Sequence, residues 1–275
     1  MQLRDTYPIG IGTFLMGGGF HRETARNTAD YSNDDKYISA IKYSLEKGQN
    51  HIDTALSYSD GHCDEIVGKA IKGLTREKIF LADKLSKGHM LKNAVLPCIH
   101  KSLRVLGVDY IDLYYVHDPN VPEKMEGYIE GINDAIDLGL VKYIGVSNFN
   151  LEQLKQAITI SKHPIVANQI EFNLIDRTQA APELLNFCKK NNIIVVAYRP
   201  LQNKLYFDGL NHPLIVEIAQ KYNKSVSQIG LNWLVKHKQV IAIPKAVEKK
   251  HIDENLASLD FEISTEDLNS LDALV

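Results

Sequence analysis

Short apolar runs alternate with segments of helical period at intervals of roughly 30 residues along nearly the whole chain, and this alternation restricts the fold more than any motif does. After an opening run at 8–14, strands are expected at 50–53, 78–84, 110–117, 141–146, 164–170, 193–198 and 240–243. Helices are expected at 34–47, 63–72, 91–106, 123–138, from 150 onward, at 181–191, across 214–236 and in the C-terminal segment. Eight such units in 275 residues predict an α/β fold of the (β/α)8 TIM-barrel type, with an N-terminal hairpin and C-terminal helices, as a single domain over 1–275. The strands are almost continuously apolar, Ile193 to Ala197 above all, as strands covered on both faces must be. An open doubly wound sheet is the alternative, weakened because Gly17-Gly18-Gly19 lacks the spacing of a dinucleotide fingerprint and reads as a hairpin or loop.

Local signals refine this outline. Asn33 is placed to cap the first helix and Gly48 to end it; Asn150 with Gln153 has capping-box spacing. Pro97 should kink its helix or mark the helix start. A net charge of −3 offers no basic field to nucleic acid and no polybasic anchor to a membrane. Cys63, Cys98 and Cys188 lie too far apart for a zinc motif or a disulfide framework, which fits a reducing, cytoplasmic setting. No metal site is expected: successive residues in His62-Cys63-Asp64-Glu65 would point around a helix rather than converge. The acids between 253 and 272 read as a solvated helix face.

The functional signal lies where the strands stop. Their ends carry Asp53, Lys84, His117, Ser147 with Asn148, Gln169, Tyr198 and Lys245, and in a barrel all seven ends converge on the C-terminal mouth, where such folds place their chemistry. These residues also carry a resemblance. Asp53-Thr54-Ala55 followed by Tyr58, the strand ending at Lys84, Tyr110-Ile111-Asp112-Leu113-Tyr114 with His117, Gly145-Val146-Ser147-Asn148-Phe149, Gln169, Ala197-Tyr198 with Pro200-Leu201, and Ile243-Pro244-Lys245 resemble the aldo-keto reductases over about residues 9–255. The resemblance implies a carbonyl reductase that uses a nicotinamide cofactor.

Hydride arriving at a carbonyl carbon leaves an alkoxide, so such a site needs a donor still protonated at neutral pH. A tyrosine qualifies, and a neighbouring cation is expected to lower its pKa toward working pH. Tyr58 is the expected general acid, Lys84 the tuning cation, Asp53 its counter-charge, and His117 the residue that orients the substrate oxygen, as the resemblance implies. A structural ion pair would account for Asp53 and Lys84 but would leave Tyr58 and His117 unexplained. For the cofactor, Tyr198 offers a flat face to the nicotinamide, while Ser147, Asn148 and Gln169 offer donors and acceptors to its carboxamide. Arg199, Asn203 and Lys245 are the phosphate candidates, with Leu201 beside them; Glu254 and Asn255 match the family's adenine contacts. Ala246 and His251 replace the hydroxyl residue and arginine that many members use for the 2′-phosphate, and Glu248 lies between them. NADP(H) is the expected cofactor and NAD(H) the alternative. Ser59 stands where the family commonly has glycine and is expected to matter little.

Phe14 and Asp118 are the substrate-pocket candidates, with Asn120, Tyr206 and Phe207 in nearby loops. The short segment after Tyr198 suggests an open pocket for a small-molecule carbonyl and broad aldehyde specificity. A monomer or small homo-oligomer is expected. Two alternatives share these residues: a cofactor-binding regulatory subunit with little turnover, and an NAD-dependent alcohol or aldose dehydrogenase.

Overall fold

The computed structural model describes residues 1–21, 26–85, 92–119, 125–201 and 211–275. After β1 (Ile11–Gly12), β2 (Gly18–His21) and β3 (Arg26–Ala29) pair as an antiparallel hairpin, as the glycine cluster suggested. The repeating part runs α1 (Asp34–Glu46), β4 (His51–Asp53), α2 (His62–Ile71), β5 (Phe80–Lys84), α3 (Lys92–Leu106), β6 (Ile111–Val116), α4 (Met125–Asp137), β7 (Val141–Ser147), α5 (Leu151–Ile160), β8 (Ile165–Glu171), α6 (Pro182–Lys190) and β9 (Ile194–Tyr198). It closes with α7 (Pro213–Tyr222), α8 (Val226–Lys236), β10 (Val240–Ala242), α9 (Lys249–Leu256) and α10 (Thr265–Asp272). No helix among the described residues is long and apolar enough to cross a membrane.

Eight strands, β1 and β4 to β10, pair in chain order and all in parallel. The last strand returns to the first: Gly10 N–H donates to Ala242 O at 2.8 Å, Ala242 N–H to Pro8 O at 3.0 Å, and Gly12 N–H to Pro244 O at 3.0 Å. Gly12 is required at this seam, since a Cβ there would lie 2.4 Å from Ile243 O. The result is the expected (β/α)8 barrel.

Two apolar cores follow from the two-residue period of the strands. Inward residues such as Phe80, Ala82, Leu113, Tyr115, Ala167, Ile194, Val196 and Ile241 fill the barrel; outward ones such as Ile52, Leu81, Tyr114, Ile144 and Val195 pack under the helices. The cap geometry at exposed Asn150 is as expected: its side chain accepts from Gln153 N–H at 2.9 Å while Gln153 Oε1 accepts from Asn150 N–H at 3.0 Å. Asn33 occupies the N-cap position of α1, but its side chain makes no cap bond. Pro97 lies inside α3 rather than at its start. The C-terminal acids are also more than a solvated face. Asp267 accepts from Lys221 at 2.8 Å and from Ser264 at 2.9 Å, and Asp272 accepts from Trp233 Nε1 at 2.7 Å, so these carboxylates dock α10.

His51 occupies an inward position one layer below Asp53, with its ring edge-on to Phe80. Neither ring nitrogen has a hydrogen-bond partner among the described residues, and burial pushes the imidazole down to about 4 against the pull of Asp53. An unfolded histidine takes up its proton at about pH 6.5. The folded chain refuses that proton until about pH 4, so stability falls as pH drops through this window, by on the order of 3 kcal/mol. Urea denaturation at pH 7 and pH 4.5 should therefore show a smaller acid loss in His51→Leu than in the wild type; equal losses would contradict the assignment.

Candidate active site

The parity that fills the barrel also builds the site. Continued by one inward step, the rows Phe80–Ala82, Leu113–Tyr115, Ala167 and Ile194–Val196 arrive at Lys84, His117, Gln169 and Tyr198. His51 leads likewise to Asp53, Gly145 to Ser147 and Ile243 to Lys245. These ends meet at a cavity of about 1960 Å3 whose lining includes Asp53, Tyr58, His117, Ser147, Tyr198 and Lys245.

On its floor Lys84 is fully buried, and the ammonium donates at 2.6 Å to Asp53 Oδ1, at 2.7 Å to Thr54 O and at 3.3 Å to Tyr58 Oη. Three donors thus meet three acceptors, which makes a buried lysine tolerable. Asp53 is 2% exposed, and its Oδ2 accepts from Gln169 Nε2 at 2.7 Å. Burial alone would drive the ammonium down; Asp53 and Tyr58 outweigh it and hold Lys84 above the ordinary lysine value. The expectation for Tyr58 needs correction. Burial pushes the phenol up to about 12, and the attraction of Lys84 only partly offsets that. The site therefore holds a protonated phenol beside a charged ammonium across the neutral range.

Tyr58 opens a 3-10 turn over Tyr58–Gly61 in which Ser59 and Asp60 have φ of 49° and 58°. Ser59 is buried and donates to Met16 O at 3.1 Å, so the residue at the usual glycine position ties this turn to the chain entering the hairpin. Phe14 meets the Tyr58 ring edge-on at 5.0 Å, and His117 faces it at 5.9 Å. Across the mouth, Tyr198 Oη donates to Asn148 Oδ1 at 2.9 Å, Asn148 Nδ2 donates to Ser147 Oγ at 3.1 Å, and Ser147 Oγ donates to Gln169 O at 3.0 Å. Asn148 adopts a left-handed φ of 64°, which asparagine tolerates better than most residues.

The structure brings Leu201, Ala246, Glu248, His251, Glu254 and Asn255 to the same cavity. Several polar side chains at this cavity already have partners. Glu248 pairs with Lys36 at 2.5 Å, His251 Nδ1 lies 3.3 Å from Glu254 Oε2, and Arg199 is bound to Glu171 at 3.0 Å. Asp118 is half-buried and stands outside the described lining. Asn203, Asn120, Tyr206 and Phe207 lie outside the described residues. Sequence reasoning missed Thr54, whose carbonyl receives Lys84, and the hairpin residues Thr28 and Ala29, which form part of the wall. Thr54 had a signal in its place next to Asp53. The hairpin residues had none, because their position is set by docking onto the barrel.

The model of the Aldo/keto reductase family matches residues 8–275. Glyoxal reductase of Bacillus subtilis (strain 168) is 33% identical over 276 residues, covering 99% of this chain and 94% of that protein. Among solved structures, a thermostable aldo-keto reductase, Tm1743, in complex with the inhibitor epalrestat is 36% identical with a TM-score of 0.91, covering 98% and 95% of the two chains. An aldo/keto reductase from Klebsiella pneumoniae in complex with NADP and acetate is 32% identical with a TM-score of 0.84, covering 98% and 91%.

The energetics of the buried pair are directly testable. Lys84→Met strands the Asp53 charge and should cost about 3–5 kcal/mol by urea denaturation. The double variant Asp53→Leu/Lys84→Met should recover part of that loss. A double variant no more stable than the single one would show that the charge pair is not the source.

Proposed function

The chain belongs to the aldo/keto reductase family, and from the site it carries we propose that it reduces small aldehydes and ketones to alcohols with NADPH. The observation that carries this reading is the buried ammonium of Lys84, shared between Asp53 and the Tyr58 hydroxyl on the cavity floor. When bound, the reduced nicotinamide supplies the hydride that reaches the carbonyl carbon. As charge develops on the carbonyl oxygen, Tyr58 gives up its proton, and the neighbouring Lys84 ammonium compensates the phenolate left behind. Asp53 keeps Lys84 charged, and His117, across the cavity from Tyr58, orients the substrate oxygen. The gain of one hydride and one proton turns C=O into CH–OH, and the phenolate is reprotonated from solvent.

The residues present suit a dinucleotide. Tyr198 presents a ring at the mouth, Ser147 and Asn148 present polar groups beside it, and Lys245 stands exposed on the rim as the phosphate cation. One N–H of the Gln169 amide is committed to Asp53, which leaves its second N–H and its carbonyl oxygen for the carboxamide. Arg199 would have to leave Glu171 to reach a phosphate. NADPH over NADH is supported by Lys245, by the compensation of Glu248 by Lys36, and by the NADP held in the Klebsiella relative. Reactive small aldehydes are favoured by the likeness to a glyoxal reductase. We read the chain further as a single domain, working in the cytoplasm as a monomer or small homo-oligomer without nucleic acid or membrane.

The test is loss of reduced-nicotinamide absorbance with NADPH and NADH in parallel, against aliphatic, aromatic and dicarbonyl aldehydes. Turnover with several classes, faster with NADPH, is expected. Binding without turnover would replace this reading by the regulatory one. Because the phenol lies near 12, kcat/KM for reduction should keep its value up to about pH 10, the free phenol value. A decline centred near neutrality would show that Tyr58 is not the acid that titrates.

A further inference from the structure

Behind the barrel wall at Lys84 lies a second polar cluster, on the opposite face of β5 from the cavity. Asp83 of β5 and Asp64 of α2 are both fully buried there. Asp83 Oδ1 accepts from the Lys84 backbone N–H at 2.7 Å. Asp64 Oδ1 accepts from the Thr54 hydroxyl at 2.7 Å, and the carbonyl of the same Thr54 receives the Lys84 ammonium at 2.7 Å. Two carboxyls outside the barrel therefore hold the backbone of the lysine and the residue that receives its charge.

The second oxygen of each carboxyl is the informative one. Asp64 Oδ2 and Asp83 Oδ2 are buried without a hydrogen-bond partner among the described residues, as are Ser102 Oγ and Tyr114 Oη. The ionisable groups facing the pair are Lys84 of β5, Lys101 and Cys98 of α3, Cys63 of α2 and Tyr114 of β6. Only Lys84 and Lys101 are cations, and Lys84 is already committed to Asp53 and Tyr58. Ser102 and the backbone at Lys84 and Leu56 favour the Asp83 charge, but burial outweighs them, and a second carboxylate beside the first is disfavoured. Burial raises both, and the Asp83 charge raises Asp64 further. A proton on one of the two carboxyls would give one of the orphaned oxygens a hydrogen to donate and leave a single negative charge in the cluster.

We propose that Asp64 and Asp83 carry a single negative charge between them and serve as positioning residues, holding Lys84 and the Thr54–Tyr58 loop at the separation that proton transfer needs. The positioning role rests on the reductase reading of the site; the single charge does not. A residue that acts through Thr54 should affect kcat, since it sets a distance between reacting groups, and should leave cofactor affinity alone.

The experiment has a spectroscopic arm and a kinetic arm on the full chain. Infrared spectra at pH 7 should show the C=O stretch of a protonated carboxyl in the wild type, absent from Asp83→Asn and from Asp64→Asn, where a carboxamide donates in its place. In the kinetic arm, Asp64→Ala should lower kcat by about tenfold or more with the NADPH dissociation constant unchanged, and Asp64→Asn should restore most of the loss. Thr54→Val, which removes the hydroxyl that donates to Asp64 and leaves both carboxyls in place, should lower kcat in the same direction and serves if Asp64→Ala does not fold. A wild type without the protonated-carboxyl band overturns the single charge. Unaltered kcat in Asp64→Ala or Thr54→Val overturns the positioning role. A wild type that binds NADPH but reduces no carbonyl defeats the reductase reading, and the positioning role with it, while the infrared band still decides the single charge.

Discussion

A fully buried ammonium is the constraint around which this site is built. An unpaired lysine at the position of Lys84 would lose its proton or destabilise the barrel. It keeps its charge because Asp53, Thr54 and Tyr58 each receive one of its N–H groups. Each partner has its own support: Gln169 holds the other oxygen of Asp53, and Asp64 holds the Thr54 hydroxyl. The same ammonium that must be satisfied for the fold is the charge that a phenolate at Tyr58 would need. Stability and proposed chemistry thus draw on one set of bonds.

Burial competes with that charge at Tyr58, and burial wins. The phenol rises to about 12 despite a cation 3.3 Å away. For an acid this is no defect, because a donor has to retain its proton until the alkoxide forms. In the proposed transfer the contribution of Lys84 falls on the product side, where it opposes the charge that burial would otherwise make costly.

Much of the architecture was legible because strand period and barrel topology are simple rules. Apolar runs at regular intervals indicated the barrel, and the places where those runs stop put Asp53, Lys84, His117, Gln169 and Tyr198 at one mouth of it. Capping was readable where side chain and spacing agreed, as at Asn150, and misleading at Asn33, whose type alone does not make the bond. What escaped depends on distance between elements. Nothing in the order of residues shows that Trp233 will donate to Asp272, that Lys36 will meet Glu248, or that Arg199 will be held by Glu171. The direction of the Tyr58 shift escaped for the same reason, since it is a difference between two large effects that only the packed site determines. Asp83 was hidden by its neighbour: the inward Lys84 drew attention, while the outward residue beside it became visible only once α2 and α3 were seen to cover it.

The central claim is that Tyr58 delivers the proton that accompanies hydride transfer, and it is tested most directly in Tyr58→Phe. NADPH oxidation with an aromatic aldehyde should be followed in the wild type and this variant, with NADPH affinity measured for both by fluorescence. The account predicts unchanged affinity and a loss of kcat of about 10²-fold or more, the range of a positioned general acid. A variant that binds NADPH and reduces the aldehyde at nearly the wild-type rate would contradict it.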